Sequence, residues 1–192
     1  VMNARILLLF GERGVAAFGV CAYIYGIFAA YFFGISDTSV TVIGYKHGNR
    51  ALDEIKDLLK KGIILMLAGG VIMFVLCELF PAPFAAIFVG YDAITYDLAV
   101  HAIRIQAIMF ILFGFNIYVA SVFTGLEDGL SSILIAANQS LVAPIIFVFL
   151  LPALFGKEGI WYTLVAESVI TAILAVFLLL TRFKKSLLHE KN

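Results

Sequence analysis

The chain has 192 residues, of which 63% are hydrophobic and only 14% charged, and its formal net charge is zero. Soluble domains run nearer 45–50% apolar and about 25% charged, and the mean hydropathy here is +1.07. This composition excludes an ordinary soluble globule, and the absent net charge gives no electrostatic case for nucleic acid.

Long apolar runs separated by short polar breaks organise the chain. Gly62 to Cys77, Ile105 to Leu126, Leu130 to Phe155 and Gly159 to Thr181 contain no Lys or Arg and one acid, Glu167. A fifth run, from Gly14 to about Tyr45, is interrupted by Asp37. A helix needs about 20 mostly apolar residues to cross roughly 30 Å of hydrocarbon. Backbone in lipid must satisfy its own hydrogen bonds, which leaves helices or a closed barrel. The runs do not alternate as barrel strands do. The expected fold class is therefore all-α, a polytopic transmembrane helix bundle with five full spans plus the end of a sixth.

The spans are taken here as A to E in chain order. Residues 1–10 are apolar but too short to span, and read as the tail of a helix whose beginning is missing. A turn at Gly11 to Gly14 follows. Span A runs from about 14 into the forties. A straight helix of that length reaches roughly 48 Å, so it must tilt, bend or emerge, and the expected bend is at Gly34 to Ser39. Gly26, Ala30 and Gly34 fall four apart and read as a helix-packing face. Residues 46–61 form a charged amphipathic segment, read as a cytoplasmic surface helix. Span B covers about 59–78. Pro81 and Pro83 mark a loop that reaches to about Tyr96. Spans C, D and E cover about 98–125, 130–153 and 159–182. A basic tail ends the chain.

Lys46, Arg50, Lys56, Lys60 and Lys61 lie between A and B; Arg182, Lys184, Lys185 and Lys191 lie in the tail. The B–C loop has no Lys or Arg before Arg104, and the D–E turn has only Lys157. Five spans put the basic segments on one side, which the positive-inside rule makes cytoplasmic. The C-terminus is thus expected in the cytoplasm.

Four residues are candidates for a substrate or ion path. Glu167 sits well inside span E, where a charge costs at least about 2.5–3.5 kcal/mol on insertion scales. It is protonated, paired or in a wet cavity, and the alternative to an ion path is a structural hydrogen bond. Asn116, near the middle of span C, cannot snorkel and must face protein or water; it either bonds a neighbouring helix or lines a cavity. Gln139 belongs to the polar triplet Asn138-Gln139-Ser140, one turn before Pro144, which suggests a kink facing other helices or water. Asp37 is either a hydrated interfacial acid or part of a polar inner mouth. Cys21 and Cys77 read as small buried hydrophobes. His47, His101 and His189 are scattered, and no catalytic pair, metal-ligand spacing, phosphate loop or cofactor motif is present, so no enzyme activity is expected.

Several segments resemble the MATE (multidrug and toxic compound extrusion) family. GISDTSVTVIGYKHGNR (Gly34–Arg50) is similar to the end of the second helix of that family's C-terminal half. FILFGFN (Phe110–Asn116) with TGLEDG (Thr124–Gly129) looks like the next part. LLPALFGKEGIWYTLVAES (Leu150–Ser168) carries the most specific match, centred on Gly156, Gly159, Ile160, Trp161 and Glu167. The resemblance implies that residues 1–192 are the C-terminal lobe of a twelve-span transporter whose N-terminal lobe is absent. It implies a plasma-membrane antiporter coupled to H+ or Na+, exporting small organic and cationic molecules by alternating access. Its partners would be the bilayer, the missing lobe and the substrate. Thr41 stands where the family often has Pro, so the family's break in span A is not implied here, and the Ala137 to Gln139 region lacks a frequent Arg. Span C has no acid between Gln106 and Leu126 where some members have one, so no cation site is carried over, and ion coupling would fall to the missing lobe or to Glu167. A non-transporting membrane interaction protein, an inert fragment and a flippase of lipid-linked oligosaccharides are the alternatives.

Overall fold

The computed structural model describes residues 1–187; Lys191 and His189 of the basic tail lie outside the described residues. Its helices in chain order are α1 (Met2–Gly48), α2 (Leu52–Leu79), α3 (Pro81–Val89), α4 (Ala93–Ala107), α5 (Phe110–Gly125), α6 (Gly129–Ala137), α7 (Ala143–Phe155) and α8 (Thr163–Leu187). A π-helical segment, Asn138–Val142, joins α6 to α7, and a 3₁₀ segment, Lys157–Tyr162, leads into α8. Four stretches are long and apolar enough to cross a membrane, or five if the bent pair α4–α5 counts as one span. The all-α transmembrane class is thus observed, and large apolar side chains such as Leu180, 81% exposed, lie on the outside, as a bundle solvated by lipid requires.

The breaks in the helices fall at other places than the sequence suggests. In α1 the backbone leaves helical geometry at Gly11, with φ 69°. A residue with a Cβ resists that left-handed region, so glycine fits the corner. Residues 2–10 are helical before it. The expected bend at Gly34 to Ser39 is not there. The helix runs through, with the Thr38 hydroxyl donating to the Gly34 carbonyl at 2.9 Å and Ser39 to Ile35 at 2.7 Å. Hydroxyls that bond the preceding turn satisfy themselves without breaking it.

Residues 46–61 are not one surface helix. Lys46 to Gly48 end α1, and the amphipathic part is the first turns of α2. At 28 residues, α2 is about 42 Å long, so it projects beyond the hydrocarbon as one rod. Lys46 pairs with Glu54 at 2.6 Å across the turn. The segment around Pro81 and Pro83 is also no loop: Pro81 opens α3, a first-turn position where its missing N–H costs nothing.

Span C is a broken span. α4 and α5 meet at a 47° bend, which sequence inspection takes as one straight helix. The N–H groups of Met109, Ile111 and Leu112 reach back three residues to Gln106, Ile108 and Met109, the tighter 3₁₀ pattern. Neither Pro nor Gly occupies the corner. The corner packs closely on α2: a methyl on Gly70 would collide with the Phe110 carbonyl oxygen and lie 3.0 Å from the Ile111 Cα. Aromatic side chains fill the other flank, with Phe28 edge-on to Phe110 at 5.2 Å and Phe32 edge-on to Phe113 at 5.6 Å. Such edge contacts add to area burial. Gly26, Ala30 and Gly34, by contrast, lie exposed, and nothing in the chain packs within 4 Å of a Cβ at Gly26 or Gly34.

The two ends of the bundle are separately tied. At one end the α5–α6 turn meets the end of α8: Ser186 donates to Asp128 Oδ2 at 2.6 Å and Arg182 lies 3.8 Å from Oδ1. Burial alone would raise the Asp128 carboxyl, but hydrogen bonds from Ser186 and Ser131, with Arg182, hold it below the usual carboxylate range. The α1–α2 turn shares this end, because Gly44 lies against the Gly125 carbonyl. At the other end Arg13 donates to Asp92 at 3.1 Å, and Glu158 lies 3.2 Å from His101. The Thr95 hydroxyl, with help from Arg13, holds the Asp92 carboxyl below its ordinary value.

Gly70→Ala should therefore destabilise the bundle by about 1–3 kcal/mol, the usual cost of overpacking. Gly26→Ala, with open space at its Cβ, should be neutral or stabilise by up to about 1 kcal/mol, the helix-propensity gain over glycine. Thermal unfolding of the two variants in detergent checks this; equal effects would contradict the close-packed corner.

Candidate functional site

The breaks in the helices converge on one cavity of about 500 Å³. α1 contributes Phe18, Tyr25 and Phe33 to its wall, the α4–α5 corner contributes Gln106, Met109 and Phe113, and the π-helical segment contributes Gln139 and Ser140. α8 contributes Glu167. The π-helical turn sits immediately before Pro144. Proline lacks an N–H and obstructs the regular ladder, so the backbone widens there. Asn138 pins the widened turn to α8 by donating to the Thr171 hydroxyl at 2.8 Å.

The four sequence candidates separate. Glu167 and Gln139 line the cavity. Asn116 is fully buried behind it, where its Nδ2 donates to the Ser168 carbonyl at 2.9 Å. It therefore holds the turn of α8 that carries Glu167 and does not face the cavity. Asp37 is exposed on α1 and is not among the residues that line this cavity.

Gln106 and Tyr25 are wall residues that the sequence does not single out. Read as part of a straight span C, Gln106 falls near the outer end, where an amide is unremarkable. The corner instead places it inside, at 4% exposure. Arg104, two residues earlier, is exposed. The legible signal was a glutamine within an apolar run, beside a cluster of aromatic partners.

Three polar atoms of the wall have no hydrogen-bond partner: Gln106 Nε2, Gln139 Nε2 and Glu167 Oε1. Glu167 is itself only 4% exposed. It is the only carboxyl group among the residues that line the cavity, and no Lys, Arg or His lines it. Unmet polar groups of this kind are uncommon in folded proteins, and each calls for an explanation. Cys21 also touches the cavity, and with Cys77 it borders a second void of about 10 Å³. Both thiols are buried and free, as small hydrophobes would be.

A bundle of broken apolar helices around a cavity with a few polar groups in an apolar wall is consistent with the architecture of a polytopic membrane transporter. The MatE family model matches residues 1–151, and the chain belongs to that family. No curated protein matches the chain. Solved structures do match in fold. An inward-facing multidrug resistance MATE family transporter of the MOP superfamily superposes with a TM-score of 0.89 at 19% identity, covering 96% of this chain and 43% of that one. An outward-facing transporter of the same description gives 0.88 at 20% identity, with 96% and 42% covered. A MOP superfamily transporter from Pyrococcus furiosus, described as having a binding pocket of reverse polarity and a suggested different function, gives 0.86 at 19% identity, with 96% and 42% covered. The chain thus spans less than half the length of the structures it matches.

Proposed function

We infer that this chain acts as one lobe of an antiporter that exports small organic molecules, cations among them, in exchange for H+. The observation that carries this reading is Glu167, the one carboxyl group in the cavity wall, buried and without a partner. Intramembrane acids in such settings mark ion and proton paths. Family membership supports transport. The similar fit to inward- and outward-facing structures supports a lobe that moves as a unit, as alternating access requires. Export needs a second lobe to complete the pathway. A wall without Lys or Arg disfavours a path for anionic lipid-linked sugars.

The lobe sits with its α1–α2 turn and the end of α8 in the cytoplasm of a plasma-membrane protein. The clustering of Lys46, Lys56, Lys60, Lys61, Lys184 and Lys185 at that end supports this orientation. Single cysteines in a background lacking Cys21 and Cys77 check it in intact cells. An impermeant maleimide should label Gly90→Cys and spare Glu54→Cys; the reverse pattern contradicts the orientation.

Glu167→Gln keeps the size and hydrogen bonding of the side chain and removes its titration. With a matching second lobe co-expressed, this variant should reach the membrane at normal abundance and lose pH-driven export. Undiminished export would reject the coupling role.

A further inference from the structure

α2 and α8 both pack on α5 but scarcely on each other. Between them α5 forms the floor of an open groove of about 430 Å³. Leu67 of α2, Leu112 and Phe115 of α5, and Val169, Ile173 and Val176 of α8 line it, and every lining side chain is apolar. No residue of the cavity wall lines the groove, so the two lie on different sides of α5 and α8.

The rims of the groove are charged, and differently at their two ends. Lys60 stands about two turns before Leu67 on the same flank of α2, and Lys184 about three turns after Ile173 on the same flank of α8. Both lysines are exposed. Both belong to the end of the bundle where the α1–α2 turn and the end of α8 meet. α2 is free of charge from Gly62 to Cys77 and α8 from Ser168 to Thr181, so the lysines stand where the helices leave the hydrocarbon. Neighbouring cations are already paired: Lys46 with Glu54, Lys56 with Asp53, Lys61 with Asp57 and Arg182 with Asp128. Lys60 and Lys184 have no such partner among the described residues. At the opposite end, about three turns after Leu67, the same flank of α2 carries an acid, Glu78.

We propose that this groove is a binding site for an anionic phospholipid, whose tail lies in the slot between α2 and α8 and whose phosphate meets Lys60 and Lys184. The apolar slot gives little selectivity, because bilayer tails are as apolar as its lining. The two unpaired lysines supply it, since basic residues at the membrane surface attract anionic headgroups. A phosphatidylcholine headgroup carries its own cation and gains less. Glu78 disfavours an anionic headgroup at the other end, so the lipid belongs to the leaflet on the lysine side. On the orientation proposed above this is the cytoplasmic leaflet; the preference for negative charge does not depend on that orientation.

Bromine quenching of a tryptophan in the groove tests it. Ile173→Trp places an indole on the rim, at a position 61% exposed. Ile146→Trp places one at a position 52% exposed on α7, outside the groove. The native Trp161 is fully buried, and the parent chain gives its background. Each variant of the 192-residue chain is placed in phosphatidylcholine nanodiscs containing a small fraction of lipid with brominated tails. At position 173, brominated phosphatidylglycerol should associate at least about fivefold more strongly than brominated phosphatidylcholine, roughly the factor that one lysine contributes at an anionic headgroup. At position 146 the two lipids should quench alike. Lys60→Gln and Lys184→Gln should each shrink the preference at 173, and the double variant should lose it while phosphatidylcholine still quenches there, which shows the groove intact. Equal quenching by the two lipids at 173, the same preference at 146, or a preference that survives the double variant would overturn the proposal. So would protection of position 173 from both lipids once a matching second lobe is co-expressed, which would assign the groove to that lobe.

Discussion

Hydrocarbon offers no hydrogen bonds, so every polar group in the spans must find its partner inside the protein. Most do so locally. Thr38, Thr124, Ser140 and Thr181 each bond the carbonyl four residues back. Asn116 and Asn138 bond across to α8 at Ser168 and Thr171, about one turn apart. These two amides fix the height and rotation of α8 between them. Glu167 lies on that stretch of helix, and its placement follows from theirs.

The same constraint makes the helix breaks informative. A bend exposes backbone, and lipid tolerates that only where protein or a cavity covers it. The α4–α5 corner is covered by α2 at Gly70 and by the ring of Phe28. The π-helical turn is covered by α8 through Asn138. Both irregular segments open onto the cavity and deliver glutamines into it. Close packing on one side of each break and polar space on the other are two faces of one arrangement.

Much of this was legible in the sequence. The apolar runs gave the helical class, because their lengths match the bilayer. Pro144 and the triplet before it marked the π-helical turn, since a missing N–H has a local consequence. Glu167 stood out because a lone acid in an apolar run is costly. The α4–α5 corner was not legible. No Pro or Gly lies at it, and Gly70, which lets α2 pack closely against it, is forty residues away in the chain. Gln106 was overlooked for the same reason, since its position depends on that corner. Asp37 and the Gly26 to Gly34 stripe are exposed on α1 and pack against nothing among the described residues, so this lobe leaves their roles open. Periodicity tells which residues share a face, and not which face is turned inward.

The central claim is that Glu167 and the two glutamines border polar space within the bundle and not a dry packing defect. Thiol reactivity at Gln139 tests this most directly, because the thiolate, which forms in water, attacks the methanethiosulfonate sulfur and expels methanesulfinate. In a background lacking Cys21 and Cys77, Gln139→Cys should react with a small charged methanethiosulfonate in native membranes. Ile146→Cys, at a position 52% exposed on α7 and outside the cavity wall, should not, its apolar surroundings being expected to meet lipid. An inert thiol at position 139, or equal reaction at both positions, would contradict the account.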